Sequence, residues 1–348
     1  MYPLLFRLVL SRMDPERAHH AAMILIRFAG VRPVATLLRR FTAPSPVLRT
    51  RVLGREFPSP FGVAAGFDKD AEAVLGLAAL GFGHVEVGTV TATPQEGNLR
   101  PRLFRLVADR AVVNRMGFNN RGAAALAVRL RRARRRADRP VIGVNIGKTR
   151  VVPTAEAVAD YVTSARILAP LADYLAINVS SPNTPGLRGL QEPDLLRPLL
   201  EAVRAAAGTT PVLVKFAPDL TDAQISAVAA TAVDAGMAGV IATNTTLSRE
   251  GLRTELSRVA AAGEGGLSGS PLKARSLHAL RVVRSAVPPE FCVISVGGVD
   301  TADDVAERLA AGADLVQGYT AFLYRGPMWA RSINRQLAGA RGARHSGR

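Results

Sequence analysis

Asparagine is scarce in this chain, nine among 348 residues. Seven of the nine, Asn114, Asn119, Asn120, Asn145, Asn178, Asn183 and Asn244, fall at predicted strand ends or in the loops beyond them. Turn and cap preferences account for Asn119 and Asn120, but not for Asn145 and Asn178, which sit inside apolar runs. A carboxamide offers a donor and an acceptor together, so several converging on one pocket suit a flat ligand whose edge alternates N–H and C=O, such as a pyrimidine or a flavin ring. Two of the four lysines share that layer: Lys69 follows the first apolar run and Lys215 interrupts the fifth, VLVKF. An ammonium buried there needs an anionic partner, because an unpaired buried charge is too costly. Glycines close the pattern at successive junctions: Gly265-Gly266 with Ser268-Gly269, then Gly297-Gly298, then Gly318-Tyr319-Thr320. Glycine lets backbone N–H groups approach a phosphate closely, which points to a phosphate-bearing cofactor. The stretch from Asn178 to Arg188 is too long and too rich in Pro and Gly for a tight turn, and reads as a lid. It holds Ser180, Ser181 and Thr184 with no histidine nearby, so a triad-type serine nucleophile is unsupported.

Eight short apolar runs must position these groups: residues 61–67, 82–90, 141–147, 174–181, 211–218, 239–246, 292–299 and 315–322. Stretches of helical period follow them, near 70–80, 121–136, 154–168, 191–206, 221–235, 271–286, 301–311 and 326–337. Eight βα repeats predict a (β/α)8 TIM barrel, usually roughly 250 residues long. An open doubly wound sheet gathers its site at one switch point, whereas here polar residues end nearly every run. The first 50 residues stand apart as two or three short helices, one from Pro3 to Ser11 and another capped by Asp14, begun by Pro15 and stopped by Gly30. They carry eight arginines against Asp14 and Glu16 and more apolar residues than a short helix pair needs for packing, a composition that suits either lying on a membrane surface or capping the open bottom of a barrel.

With 48% hydrophobic and 21% charged residues, the chain can bury a large core and is neither disordered nor fibrous. The single cysteine, Cys292, excludes an intrachain disulfide, and no residues stand at structural-zinc spacing, so no metal is expected. No apolar run near the N-terminus approaches the roughly 20 residues needed to cross a bilayer. The net charge of +17 comes from 45 basic residues, of which only Lys69, Lys148, Lys215 and Lys273 are lysines. Arginine substitutes freely on solvated faces such as 131–136, so a surviving lysine marks a place where a compact charge must fit.

Ten segments in chain order resemble the dihydroorotate dehydrogenase family, in its membrane-associated, quinone-reducing class. They are AAGFDK (64–69), VEVGTVTATPQEGNLRPRLFRL (85–106), NRMGFNN (114–120), GVNIGK (143–148), NVSSPNTPGLR (178–188), KFAPDL (215–220), ATNTT (242–246), GGLSG (265–269), SVGGV (295–299) and GYTAF (318–322). The resemblance covers nearly the whole chain. It implies oxidation of dihydroorotate to orotate in UMP biosynthesis, with a hydride passing from C6 to FMN N5, and reoxidation of FMN by a membrane quinone. It makes Ser181 the base that takes the C5 proton, with Thr184 and a water beside Phe118 as the relay that a poorly basic hydroxyl requires. Substrate contacts are implied for Lys69, Asn114, Arg115, Met116, Gly117, Phe118, Asn178, Asn183, Asn244 and Thr245. FMN contacts are implied for Ala65, Gly66, Phe67, Asp68, Lys69, Thr89, Asn145, Asn178, Lys215, Thr243, Gly269, Gly298, Tyr319 and Thr320, with Lys215 stabilising the negative charge of the reduced ring. His19, Arg105 and Tyr319 would line a quinone tunnel.

The organisation expected from this resemblance is a helical tunnel and membrane segment at 1–50, the FMN barrel at 51–338, and a basic disordered tail at 339–348. A monomer peripheral to the cytoplasmic side of the cell membrane is expected, with no nucleic-acid partner. The soluble class of the family carries cysteine where this chain has Ser181. An RNA-modifying flavin barrel of the dihydrouridine synthase kind would place a cysteine acid in a catalytic loop, yet Cys292 begins a predicted core strand. A non-enzymatic phosphate-binding barrel leaves Lys69, Ser181 and the asparagines without a purpose.

Overall fold

The computed structural model describes residues 2–346. Helices α1 (Tyr2–Leu8), α2 (Pro15–Ala29) and α3 (Arg32–Thr42) come first. Asp14 caps α2 by accepting from the Arg17 amide at 2.9 Å, and Pro15 occupies the first helical position, where a missing N–H costs nothing. A hairpin of β1 (Thr50–Val52) and β2 (Arg55–Phe57) follows, and then β3 (Phe61–Val63) and α4 (Val74–Ala79). α2 rests on the α4 backbone so closely that a Cβ on Gly76 would stand 1.7 Å from the Ile26 carbonyl oxygen.

Onward the chain runs β4 (His84–Val90), β5 (Leu103–Leu106), β6 (Ala111–Asn114), α5 (Gly122–Arg134), β7 (Val141–Ile146), α6 (Ala157–Leu168), β8 (Tyr174–Asn178), α7 (Pro193–Ala207), β9 (Val212–Phe216), α8 (Asp222–Asp234) and β10 (Gly239–Ala242). It ends with α9 (Leu256–Ala262), β11 (Gly266–Gly269), α10 (Lys273–Ala286), β12 (Cys292–Val296), α11 (Ala302–Ala310), β13 (Leu315–Gly318), α12 (Thr320–Arg325) and α13 (Trp329–Ser346). Strands β3, β4, β7, β8, β9, β10, β12 and β13 pair in parallel and close into one barrel, the (β/α)8 architecture.

Two apolar layers hold it. One lies between strands and outer helices, around Leu77, Leu126, Leu168, Leu199 and Val283. The other fills the barrel interior with Tyr174, Leu213, Ile241, Ile294 and Leu315, and Phe57 from the hairpin closes its N-terminal end against His84, ring centroids 5.4 Å apart. Each such fully buried side chain is worth about 1.5–3 kcal/mol relative to exposure. Gly143 makes room for Tyr174, since a Cβ there would sit 2.1 Å from the phenol Cζ.

Several elements differ from the sequence reading. β5, β6 and β11 form a three-stranded antiparallel sheet over the barrel mouth, in segments too short and irregular to show a strand period. The helix expected near 70–80 shortens to Val74–Ala79, because the Asp68 carboxylate binds the amides of Glu72 and Ala73 at 2.8 and 2.7 Å and holds the chain in a turn. The eighth run stops as a strand at Gly318, and α12 starts two residues later. The last helix continues to Ser346 instead of giving way to a disordered tail at 339, since its alanines and arginines are strong helix formers. Residues 347–348 of that expected tail lie outside the described residues.

Candidate active site

The C-terminal ends of the barrel strands, the antiparallel sheet and one flank of α2 enclose a cavity of about 330 Å³. Every site residue expected from the sequence lines it except Asn145, Thr184, Arg115 and Arg105. At its floor the asparagines form a bonded cluster. Thr89 Oγ1 donates to Asn145 Oδ1 at 2.6 Å, and Asn178 Nδ2 donates to Thr89 Oγ1 at 2.9 Å. Asn244 Nδ2 donates to Ser180 Oγ at 2.9 Å and to Asn178 Oδ1 at 3.2 Å. Asn145 itself is fully buried one step behind the wall, orienting Thr89 and Asn178 rather than facing the cavity.

Across the opening, Asn183 Nδ2 donates to Asn114 Oδ1 at 3.2 Å, and the Asn183 amide donates to Ser181 Oγ at 3.3 Å. Ser181 is nearly buried, and its hydroxyl faces the cavity from the 178–188 loop. Arg188 fastens that loop by donating to the Ser180 and Thr245 carbonyls, both at 3.1 Å, and to the Asp219 carboxylate at 2.8 Å. Thr184 is buried within the same loop, outside the cavity wall. Phe118 enters from the β6–α5 connection with a left-handed backbone, φ 54°.

Both lysines reach the cavity. Lys69 Nζ donates to Asn119 Oδ1 at 2.6 Å, so Asn119 is a site residue that turn preference had concealed, whereas Asn120 does cap the turn by accepting from Gly122. Burial, with Arg102 adding to it, pulls the Lys69 pKa down to about 8 against the opposing pull of Glu16 and Asp70. Lys215 is buried in β9 beside Asn178 of β8 and makes no hydrogen bond among the described residues. On the far wall stand Gly269, Gly298, Tyr319 and Thr320. Gly298 has φ 68°, and a Cβ on it would lie 2.4 Å from the Lys273 backbone, so no other residue fits this junction.

The cavity continues to α2 through an aromatic wall. The His19 ring meets Phe67 edge-on at 5.2 Å, and Phe67 meets Tyr319 at 5.5 Å. Burial, then the Lys69 charge, bring the His19 pKa to about 4, so its imidazole is neutral at pH 7. Arg105 stands outside this wall, donating to the Met13 carbonyl at 2.9 Å. Arg115 lies outside the cavity lining: its guanidinium stacks over Phe104 at 4.5 Å and binds the Ala262 carbonyl, so its side chain ties α9 to the sheet. Among the described residues no cluster of metal-ligating side chains occurs.

The dihydroorotate dehydrogenase family model matches residues 47–340. The chain belongs to that family. It is 69% identical over 338 residues to a protein of Clavibacter sepedonicus named dihydroorotate dehydrogenase (quinone), covering 97% of this chain and 98% of that one. A protein of the same name from Leifsonia xyli subsp. xyli is 66% identical over 341 residues, covering 98% and 99%. The crystal structure of DHODH in complex with ferulenol from Eimeria tenella superposes with a TM-score of 0.87 at 36% identity, covering 98% of this chain and 95% of that one. These relatives place the enzyme in the quinone-dependent class.

Some cavity residues that the sequence reading passed over come from the unforeseen sheet and from α2: Leu103 and Val112 lie on β5 and β6, and Glu16 and Met23 on α2. Ser268, named with the glycines, lies on β11. Ser268 Oγ accepts from Thr320 Oγ1 at 2.8 Å, which braces the start of α12. The spacing of Glu16 and Met23 around His19 on one helix was the available signal.

Proposed function

We propose that this enzyme oxidises dihydroorotate to orotate in pyrimidine biosynthesis, with FMN as the resident cofactor and a membrane quinone as the final acceptor. The observation that carries the reading is continuity: one cavity is lined by the amide cluster, Ser181 and two lysines and also by His19 of α2, Phe67 and Tyr319. The residues fit FMN. Lys215 offers a buried ammonium with no hydrogen-bond partner among the described residues, suited to an electron-rich ring, and Gly269, Gly298, Tyr319 and Thr320 form the glycine-containing wall suited to a phosphate. Bound FMN supplies a two-electron acceptor for the hydride leaving C6.

Everything else is the work of side chains. Asn114, Asn183, Asn244 and Thr245 hold the amide edges and carboxylate of the substrate, and Lys69 pairs with its charge. Ser181 receives the C5 proton as the C5–H electron pair becomes the C5=C6 double bond, and the buried Thr184 serves as the next proton acceptor in the relay. His19, Phe67 and Tyr319 keep the quinone side apolar, since an imidazole neutral at pH 7 brings no charge there. An anaerobic flavin spectrum tests the whole reading. Dihydroorotate bleaches the bound flavin and quinone restores it; recovery with fumarate or NAD instead, or no bleaching, refutes it.

No single helix among the described residues is long and apolar enough to cross a membrane. α2 and α3, bent by 93°, nevertheless expose Ile24, Leu25, Phe28, Leu37 and Phe41. Beside them an arginine-rich groove gathers Arg27, Arg32, Arg129 and Arg132. This face suits peripheral attachment to an anionic bilayer. The enzyme is expected to sediment with anionic liposomes, to be partly released by salt, and to lose binding in Leu25→Ser/Phe28→Ser; equal binding of wild type and variant rules the face out.

A further inference from the structure

The barrel interior beneath the cavity holds a carboxylate that none of the roles above uses. Glu86 on β4 is fully buried. Its Oε1 accepts from Asn145 Nδ2 at 2.9 Å, and its Oε2 accepts from Gln317 Nε2 at 2.8 Å and from Tyr174 O–H at 3.0 Å. No ion pair within contact distance reaches it among the described residues. A buried carboxylate costs several kcal/mol of desolvation, and an apolar side chain would fill a barrel layer without that cost. Two connections lead from Glu86 to the cavity. Asn145 gives its N–H to Glu86 and so turns its oxygen toward Thr89 and Asn178, fixing the cluster at the floor. Lys215, the cross-strand neighbour of Asn178, stands at the other end of this chain of amides, where burial pulls its pKa down and the charge of Glu86 opposes the fall.

Resting on the FMN reading above, we infer that Glu86 is a positioning residue that sets the redox poise of the cofactor, its negative charge competing through Lys215 with the charge that reduction brings into the cavity. Two-electron reduction places negative charge beside Lys215. With Glu86 already neutralising part of that ammonium, the reduced state is stabilised less, and electrons pass on to quinone more readily. Glu86→Gln removes the charge with little change of shape. Gln317 Oε1, buried and without a partner, can accept from the new amide once the Gln317 carboxamide turns over, since its Nε2 now faces Glu86.

The test is a spectroscopic redox titration of the anaerobic holoenzyme against reference dyes. Glu86→Gln shifts the two-electron equilibrium toward the reduced form by about tenfold, which is about 30 mV upward, and slows reoxidation by quinone. Glu86→Asp, which keeps the charge, stays near the wild-type potential. A potential unchanged in the Gln variant, or shifted equally in both, overturns the inference. Should Glu86→Gln fail to retain flavin, the double variant Glu86→Gln/Lys215→Met decides: removal of both charges leaves neither buried alone, so it melts above the single Gln variant, and no such recovery overturns the coupling. Absence of flavin from the wild-type enzyme would instead refute the FMN reading, while the melting comparison still reports the pair.

Discussion

Ser181→Ala lowers turnover with dihydroorotate by about 10²–10⁴-fold at neutral pH, the usual contribution of a positioned base, while the purified variant keeps its flavin colour. The geometry separates these two outcomes. Ser181 lines the cavity from the 178–188 loop, and its oxygen accepts only the weak 3.3 Å bond from the Asn183 amide, so its loss leaves the amide cluster on the floor intact. Thr89 on β4, Asn178 at the end of β8 and Lys215 on β9 are held by barrel strands, not by the loop beyond Asn178. A serine hydroxyl is a poor base at neutral pH and works only while hydrogen-bonded to a group that takes its proton onward. Hydroxide can replace that function, so the variant's activity recovers as pH rises, whereas a variant that had lost substrate contacts would not recover. Stopped-flow bleaching of the flavin across pH 6–10 reads this directly. Wild-type bleaching rates in Ser181→Ala at neutral pH exclude Ser181 as the base.

The barrel was legible because its strands are buried on both faces and therefore read as continuous apolar runs, and because helical period returns between them. Asn145 and Asn178 stood out for the same reason: a carboxamide inside VIGVNIG or YLAINVSS breaks the run and must be bonded. What escaped notice was backbone built from short or irregular pieces. The antiparallel sheet of β5, β6 and β11 joins residues about 150 positions apart, as in the pairing of Asn114 with Gly266, and no local period announces such a pairing. Side-chain direction escaped for a different reason. Arg115 and Asn114 are neighbours in one motif, yet successive side chains of an extended segment face opposite ways, so Asn114 enters the cavity while Arg115 packs on Phe104. Glu86 shows the limit most clearly. It stands in the motif VEVGT, but only the closed barrel brings Asn145, Tyr174 and Gln317 to its two oxygens.

Arg102→Ala destabilises the enzyme by about 3 kcal/mol, the lower end for leaving one member of a buried ion pair alone, and impairs quinone reduction more than flavin bleaching. Arg102 is buried between the α2 helix and the loop leading to β5. Its Nε and Nη2 donate to Glu16 Oε1 at 3.1 and 2.8 Å, and its Nη1 donates to the Glu96 and Asn98 carbonyls at 2.7 and 2.8 Å. Alanine would remove the donors of all three acceptors at once, with Arg100 alone remaining on Glu16 Oε2 at 3.0 Å. Asn98 in turn donates to the Met116 carbonyl at 3.0 Å and, through Nδ2, to the Arg115 and Asn183 carbonyls at 2.9 and 3.3 Å, so the damage reaches the substrate side at second hand, through Asn98. Burial pushes the Glu16 carboxyl up, but the hydrogen bonds and charge of Arg102, with Arg100 and Lys69, more than offset this and hold it below its ordinary value. A depressed carboxyl contributes stability above its unfolded pKa and loses it as pH falls through the folded one. Wild-type melting therefore drops on acidification through the carboxylate range, and the part owed to this pair is missing in Arg102→Ala, whose curve is flatter there. Glu16→Gln, which keeps a hydrogen-bonding acceptor but no charge, falls between the two. Parallel melting of wild type and Arg102→Ala across pH, displaced by nothing at neutrality, would show that α2 is held to the barrel by its apolar face alone.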